Sequence, residues 1–571
     1  MCGRGEIVNR QTLLQLIGSA SLFLLCKPAL AEKFPAVRYL INGEVAHLDS
    51  YQRQNGIDAV HYTFSITVND VNDEILGEAI VELEFQENGI NELFLDLTSV
   101  DENSNGKGMS VIGVDSDEEE LRFRHHEDRL YIELNKASLK HQRKKIRIFY
   151  RGVPADGFLI AENRYGERTF FSRNWPDKAR QWLPIIDHPS DKATSEFKVT
   201  APAKYQVVSN GLLREETDLG SGLRMTHWQQ SVPIASWLNA VGVARFTSRS
   251  FDTVRNIPLQ TWVYPQDRDK GIATFELPVR QSIELFDSKV GPYPYEKLAN
   301  VEVPQGGGME HASAIFYGEN AVTMGPANRL VAHEIAHQWF GNSVTENDWD
   351  DVWLSEGFAT YFALLYMEHY SGVDAFEEAL QDSRQSILTV DRDNPGQTVI
   401  HQNIQDLTAI FNGLQYTKGS WVLHMLRGEI GTEEFWEGIQ LYYKRFRDRN
   451  ASTEDLRKVM EEVSAADLEW FFEQWLRRSG SPAVVGSWQY NERTKLLTLQ
   501  LIQTQEEASF QFSLEVEIVG PKGGVNVLDR VDVRKRNESF EMFVDFLPQQ
   551  VILDPNTWLL GTTEVTPKGT S

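Results

Sequence analysis

Leu330-Val331-Ala332-His333-Glu334-Ile335-Ala336-His337-Gln338-Trp339-Phe340-Gly341-Asn342 is the stretch on which the reading of this chain turns. Leu330, Val331 and Ile335 make an apolar stripe and Gly341-Asn342 a stop, so the spacing predicts a helix. Positions i and i+4 of a helix stack on one face, so His333 and His337 direct two imidazoles at one point. Glu334 is turned by about 100° around the axis and flanks that point instead of occupying it. A catalytic metal needs a third protein ligand and an open position for water, and Glu356, opening a second helical stretch from Glu356 to His369, offers the carboxylate. The His333, His337 and Glu356 set is expected to hold one Zn2+ per chain, with Glu334 as general base for metal-assisted hydrolysis.

Composition sets the frame. At 571 residues the chain is expected to form about three or four domains. Apolar residues at 41% and charged residues at 24% are ordinary for a soluble globular protein. The net charge of −26, from 56 basic against 82 acidic side chains, argues against a nucleic-acid partner, because such a surface repels polyanions. Cys2 and Cys26 are the only cysteines, so metal ligation falls to His, Asp and Glu.

Residues 1–31 read as a signal peptide. Arg4 and Arg10 lie in a positive leading region, Leu13 to Leu25 is mostly apolar, and Ala29-Leu30-Ala31 is a small-residue cleavage signature before Glu32. The apolar run falls short of the ~20 residues a spanning helix needs, so no stable membrane span is expected after cleavage. A secreted or periplasmic protein follows. The weaker readings are an uncleaved anchor and lipidation at Cys26, where Leu24 and Leu25 stand in place of small residues.

Beyond the leader the pattern changes twice. From 32 to 247, short segments alternate with the period of half-buried strands: Phe64, Ile66 and Val68, then Val81, Leu83 and Phe85. Gly106-Lys107-Gly108 and Asn210-Gly211 mark turns. From 248 to 480 the period is helical, with Leu456, Val459, Met460 and Val463 behind a capping box at Ser452 to Asp455. Leu298 to Val303, before Gly306-Gly307-Gly308, adds some sheet. From 481 to 571 alternation returns at Phe512, Leu514, Val516 and Ile518 and at Phe540, Met542, Val544 and Phe546, which predicts a small β-sandwich. The class is multidomain α+β.

Around the opening stretch the sequence resembles the M1 family of zinc aminopeptidases, the gluzincins related to aminopeptidase N. The match runs from His333 to Asn342 and through Trp353-Leu354-Ser355-Glu356-Gly357-Phe358-Ala359, with the family's eighteen residues between His337 and Glu356. Gly291-Pro292-Tyr293-Pro294-Tyr295 and Trp470-Phe471-Phe472-Glu473-Gln474-Trp475 resemble flanking family segments. The resemblance implies an N-terminal β-sandwich or saddle domain, a thermolysin-like, mainly α catalytic domain and a small C-terminal β-sandwich, without the long C-terminal helical domain of many relatives. A more open cleft is the expected consequence.

It also implies site roles. Gly307-Gly308-Met309-Glu310 resembles the family's G-x-M-E-N substrate-binding motif, in which Glu310 would pair with a protonated α-amino group and set the first peptide bond at the metal. His311 stands where the family has Asn. Tyr416-Thr417-Lys418-Gly419 resembles Y-x-K-G, so Tyr416 would donate its hydroxyl to the developing oxyanion. The family's second amine contact aligns with Trp175, within Phe171-Ser172-Arg173-Asn174-Trp175, and is not carried over. Peptides with a free N-terminus, and a role in peptide catabolism, are the implied substrates. The rival readings are an endopeptidase or epoxide hydrolase on the same scaffold and an inactive binding protein. No motif names the first-residue pocket or the oligomeric state.

Overall fold

The computed structural model describes residues 39–41, 44–46, 49–100, 105–304, 306–323, 328–522, 524 and 526–568. It divides into two units, Met1–His47 and Leu48–Ser571. In the first, Tyr39–Ile41 pairs antiparallel with Glu44–Ala46. The expected leader, with both cysteines, lies outside the described residues. Everything below concerns the second unit.

The alternating segments are strands with one face in the core. Phe64, Ile66, Val81, Leu83 and Phe85 are buried, while Ser65, Thr67, Glu82 and Glu84 between them are half-exposed. They belong to an eight-stranded sheet ordered Leu212–Gly220, Leu223–Ala235, Lys192–Pro202, Ile57–Thr67, Ile75–Phe85, Arg143–Val153, Gly108–Ser116, Glu119–Glu120. Its pairings are antiparallel except that Ile57–Thr67 runs parallel to Lys192–Pro202. A three-stranded sheet (Glu92–Asp96, Arg129–Glu133, Phe123–His126) and a four-stranded one (Phe158–Glu162, Arg168–Ser172, Val241–Ala244, Gln206–Ser209) share its hydrophobic core.

Asn210-Gly211 does separate two strands, but as a buried junction rather than a surface turn. Asn210 Nδ2 donates to the carbonyls of Leu238 at 2.8 Å and Ala312 at 2.6 Å. Gly211 has φ of +68°, and a Cβ there would lie 1.8 Å from the Gln229 carbonyl oxygen, so only glycine fits.

The middle region carries the expected sheet and helices. Thr247–Val254, Ile257–Val263, Leu298–Val303, Ala314–Gly318 and Gly308–Met309 form one sheet in that order, with Gly308–Met309 as its antiparallel edge. Arg268–Lys289 and Asn328–His337 pack beside it, followed by Trp353–Ser371, Val373–Asp393, Gly419–Ile430, Thr432–Phe446, Thr453–Ser464 and Glu469–Leu476. The capping box forms as read: Ser452 N donates to Asp455 Oδ2 at 2.9 Å and Asp455 N to Ser452 Oγ at 3.2 Å, a cap worth about 1 kcal/mol. Trp353–Ser371 is buried along all of Trp353 to Ala359 and on almost every side to Tyr366, as expected of a helix apolar all round.

The C-terminal strands form a four-stranded and a three-stranded sheet. Phe512, Leu514, Val516 and Ile518 are buried. In the second expected run Met542 and Val544 are buried and Phe540 and Phe546 only half-buried: Phe540 is on the edge strand Asn537–Phe543, which ends before Val544 and Phe546. These sheets share one hydrophobic cluster with the helices, with Trp475 against Phe510 at 5.3 Å between ring centroids. Among the described residues no helix is long and apolar enough to cross a membrane.

Candidate active site

The helix Asn328–His337 brings His333 Nε2 and His337 Nε2 to 3.2 Å. Glu356, on the first turn of Trp353–Ser371, places Oε2 3.5 Å from His333 Nε2 and 3.4 Å from His337 Nε2. Three ligands on a tetrahedron with bonds of about 2.0–2.1 Å stand roughly 3.3–3.4 Å apart, so the donor set fits a four-coordinate Zn2+ in spacing and type. Glu356 Oε2 is buried and accepts no hydrogen bond, which leaves it free for a cation.

The ring of His337 is held from behind. Its Nδ1 lies 3.3 Å from the Phe340 carbonyl and 3.1 Å from Ser355 Oγ. With the proton on Nδ1, the Nε2 lone pair points at the ligand cluster. Ser355 thus orients one ligand while its neighbour Glu356 supplies another. Gly341, read as the helix stop, has a further reason to be glycine: at φ of +104° a Cβ would meet Ser355 Oγ at 2.2 Å and His337 Nδ1 at 3.2 Å.

Glu310, Glu334 and His337 form a second cluster whose ligand atoms lie within 4.8 Å of one another. The edge strand Gly308–Met309 runs against Glu334 so closely that a Cβ on Gly308 would stand 2.1 Å from Oε1. Burial raises Glu334 well above the ordinary carboxylate range; Glu310 and Glu356 push the same way and His337 opposes them. Glu310 is raised by burial and by Glu356, against His337. For Glu356 burial acts upward, but His337 and His333 outweigh it and hold the carboxyl low. Burial lowers His333. In His337 it is overcome by Glu356, Glu310 and Glu334, which raise the imidazole to about 10. Three carboxyls around two imidazoles make a pocket poised for a cation.

Glu310 Oε1 is buried without a partner, but its backbone is tightly held. Gln338 Nε2 and Asn342 Nδ2 donate to the Glu310 carbonyl at 2.9 Å and 2.6 Å. The turn that follows Glu310 is also gripped from the N-terminal side: Asn210 reaches the Ala312 carbonyl, Gly211 N donates to Ser313 Oγ at 2.8 Å, and buried Lys297 Nζ donates to the carbonyls of Ser209 and Ser313. His311 leads into this turn, with Nδ1 3.2 Å from the Trp237 carbonyl and its ring edge-on to Phe316. Burial pulls its pKa down to about 4, so it is neutral.

Tyr416 sits on a π-helical turn, Leu414–Lys418, a geometry frequent at functional sites. Its ring lies parallel to that of His333, with centroids 6.3 Å apart. Burial, then Glu356, raises the phenol well above its usual range, so it stays a donor. The remaining motif residues position the turn. Lys418 Nζ donates to Asp391 Oδ1 at 2.9 Å and to the Gly480 carbonyl at 2.9 Å. A Cβ on Gly357 would meet the Gly419 backbone at 2.9 Å, so paired glycines bring the turn against the Glu356 helix.

The ligand residues, Glu310, Glu334 and Tyr416 open on one cavity of about 780 Å³. Every residue expected at the site is there: Gly307, Gly308, Met309, Glu310, His333, Glu334, His337, Glu356 and Tyr416. Trp175 forms an apolar wall, with its ring against Trp349 and Phe411 at 6.3 Å and 4.3 Å between centroids. Sequence pattern does not mark Ser355 or Gln338 and marks Asn342 only as a helix stop, although each lies within the quoted motifs.

Two family models match the chain: the peptidase M1 N-terminal domain over residues 58–238 and the peptidase family M1 domain over residues 278–475. The chain belongs to peptidase family M1. All the M1 site residues above fall in the second match, and Trp175 in the first. Human glutamyl aminopeptidase is 30% identical over 328 residues, 54% of this chain and 34% of that protein. The rat glutamyl aminopeptidase is 29% identical over 370 residues, 61% of this chain and 39% of its own length. The M1 chain therefore matches under two fifths of these relatives' length. An M1 zinc metallopeptidase from Deinococcus radiodurans is similar in structure, with TM-score 0.64 and 26% identity, covering 74% of this chain and 94% of that one. A mutant two-domain M1 zinc metallopeptidase bound to L-tryptophan matches with TM-score 0.65 at 25% identity.

Proposed function

We propose that this M1 chain is a zinc metallo-aminopeptidase that hydrolyses the first peptide bond of peptides with a free N-terminus. The observation that carries the reading is a Glu310 carboxyl whose Oε1 is buried without a hydrogen-bond partner, clustered with Glu334 and His337, beside three ligand atoms at tetrahedral spacing. His333, His337 and Glu356 would hold the metal. Zn2+, when bound, lowers the pKa of a water and polarises a carbonyl.

The chain's own residues supply the rest. The Glu310 carboxylate pairs with the substrate α-ammonium and fixes the distance to the first peptide bond. The Gly307-Gly308-Met309 backbone lies alongside, unobstructed because Gly308 carries no side chain. Glu334 accepts the proton of the attacking water and returns it to the leaving amine. Tyr416 donates to the carbonyl oxygen as charge develops there.

Hydrolysis of alanyl-p-nitroanilide by protein carrying one zinc per chain, with loss of turnover in Glu334→Gln, tests the reading. Activity that survives in Glu334→Gln defeats the mechanism, and N-acetylated peptides cleaved as fast as free ones would favour an endopeptidase. Secretion or periplasmic export, with cleavage after Ala31, is proposed on the residue pattern of 1–31; N-terminal sequencing of exported protein should begin at Glu32. Divisions near 247 and 481 are proposed because new sheets open at Thr247 and Ala483, and limited proteolysis checks them.

A further inference from the structure

Arg329 lines the same cavity as Glu310, Glu334 and His333 but has no part in the mechanism above. It lies one helical turn before His333 on the same face, about 6 Å along the axis. Among the described residues it makes no ion pair and no hydrogen bond. Although Arg329 is solvent-exposed, desolvation by its surroundings weighs against its charge, and only Asp382, outside ion-pair distance, favours it. A guanidinium is never neutralised in a protein, so in a chain of net charge −26 a positive fork stands unpaired in the cleft. Its planar donors match a carboxylate.

The two clusters give the cleft a direction. Glu310 groups with Glu334 and His337, whereas His333 groups with His337 and Glu356, and the charge of Arg329 acts on His333. A substrate with its amine at Glu310 and its first carbonyl at the ligand cluster therefore continues over the His333 end toward Arg329. From the amine to the far end of a second residue is about 7 Å.

We propose that Arg329 is a specificity-determining residue that recognises a carboxylate on the leaving side of the scissile bond. The carboxylate is either the side chain of Asp or Glu at the second position or the C-terminus of a dipeptide. This rests on the aminopeptidase reading. Arg173, the other guanidinium on the cavity wall without an ion pair, belongs to the loop after Arg168–Ser172 and serves as the charge-matched comparison.

The test is a set of kcat/KM ratios. Ala-Glu-amide over Ala-Gln-amide reads the side chain, and Ala-Ala over Ala-Ala-amide reads the C-terminus. Wild type should favour the carboxylate about tenfold in at least one pair, and that pair identifies the source. In R329Q the ratio should fall to about one, in R329E the preference should shift to Ala-Lys-amide, and in R173Q it should persist. Calorimetric binding of the same pairs to Glu334→Gln protein, with and without R329Q, should repeat the ranking without turnover. Wild-type ratios near one in both pairs, a preference that survives R329Q, or equal loss in R173Q would overturn the assignment. No cleavage of alanyl-p-nitroanilide by wild type would instead overturn the aminopeptidase reading.

Discussion

Replacing Gly308 by alanine introduces one methyl group where the edge strand meets the proposed base. The new Cβ would stand 2.1 Å from Glu334 Oε1, 2.3 Å from Cδ and 2.6 Å from Cγ. Reaching the ordinary contact of 3.4 Å requires the carboxylate to swing, or the strand to retreat, by about 1.3 Å. Misplacement of a reacting group by about 1 Å costs on the order of a hundredfold in rate. Because the three atoms nearest the added methyl all belong to Glu334 and none to a proposed ligand, zinc content should stay at one per chain. Gly308 is not at positive φ, so the melting temperature should move by only about 2 °C. The expected outcome is a kcat on alanyl-p-nitroanilide about a hundredfold below wild type with stoichiometric zinc. A kcat within threefold of wild type at full metal content would show that the strand does not hold Glu334 in its working position.

Ser355→Ala removes the hydroxyl 3.1 Å from His337 Nδ1 and should weaken zinc binding about tenfold in chelator competition; unchanged affinity would assign the orienting role to the Phe340 carbonyl alone. Stripping the metal leaves Glu356 Oε2 buried with no hydrogen bond and only the two imidazoles at 3.4 and 3.5 Å, so chelated protein should melt lower by calorimetry and recover with one equivalent of Zn2+. Burial raises Asp191 from 3.8 to about 8, so the folded chain keeps a proton that the unfolded chain releases between those values. Its contribution to stability is full below pH 3.8 and declines as pH rises toward about 8. Urea unfolding from pH 4 to 8 should therefore show wild type losing ground to Asp191→Asn as pH rises, and parallel curves would refute that assignment.

The spacing of His333, His337 and Glu356 was legible because helix geometry is local: four residues determine which imidazoles share a face. The alternation at Phe64 or Leu514 was legible for the same reason. What periodicity does not carry is the partner of a side chain far along the chain. Ser355 orienting His337, and Gln338 with Asn342 locking the Glu310 carbonyl, depend on segments that meet only after folding. The Asn210-Gly211 pair reads as a turn from its residue types, yet Asn210 is buried with its side-chain amide bound to the Leu238 and Ala312 carbonyls. Phe540 and Phe546 continue the alternation, but Phe540 sits on an edge strand with less to bury it and the strand ends before Phe546. Trp175 was visible as out of pattern; that it forms an apolar wall with Trp349 and Phe411 required the fold.

The turn that carries Glu310 and the proposed metal ligands hang from different parts of the molecule. Asn210, Gly211 and the Ser209 carbonyl, reached through Lys297, clasp Ala312 and Ser313 from the N-terminal sheets, whereas His333, His337 and Glu356 belong to two packed helices. On the proposed aminopeptidase reading, the ruler that measures one residue from a substrate's end is thus mounted separately from the blade. Loosening of the N-terminal sheets, by heat or by mutation, would blunt the counting first, leaving a protein that still holds its metal but no longer knows where a peptide begins.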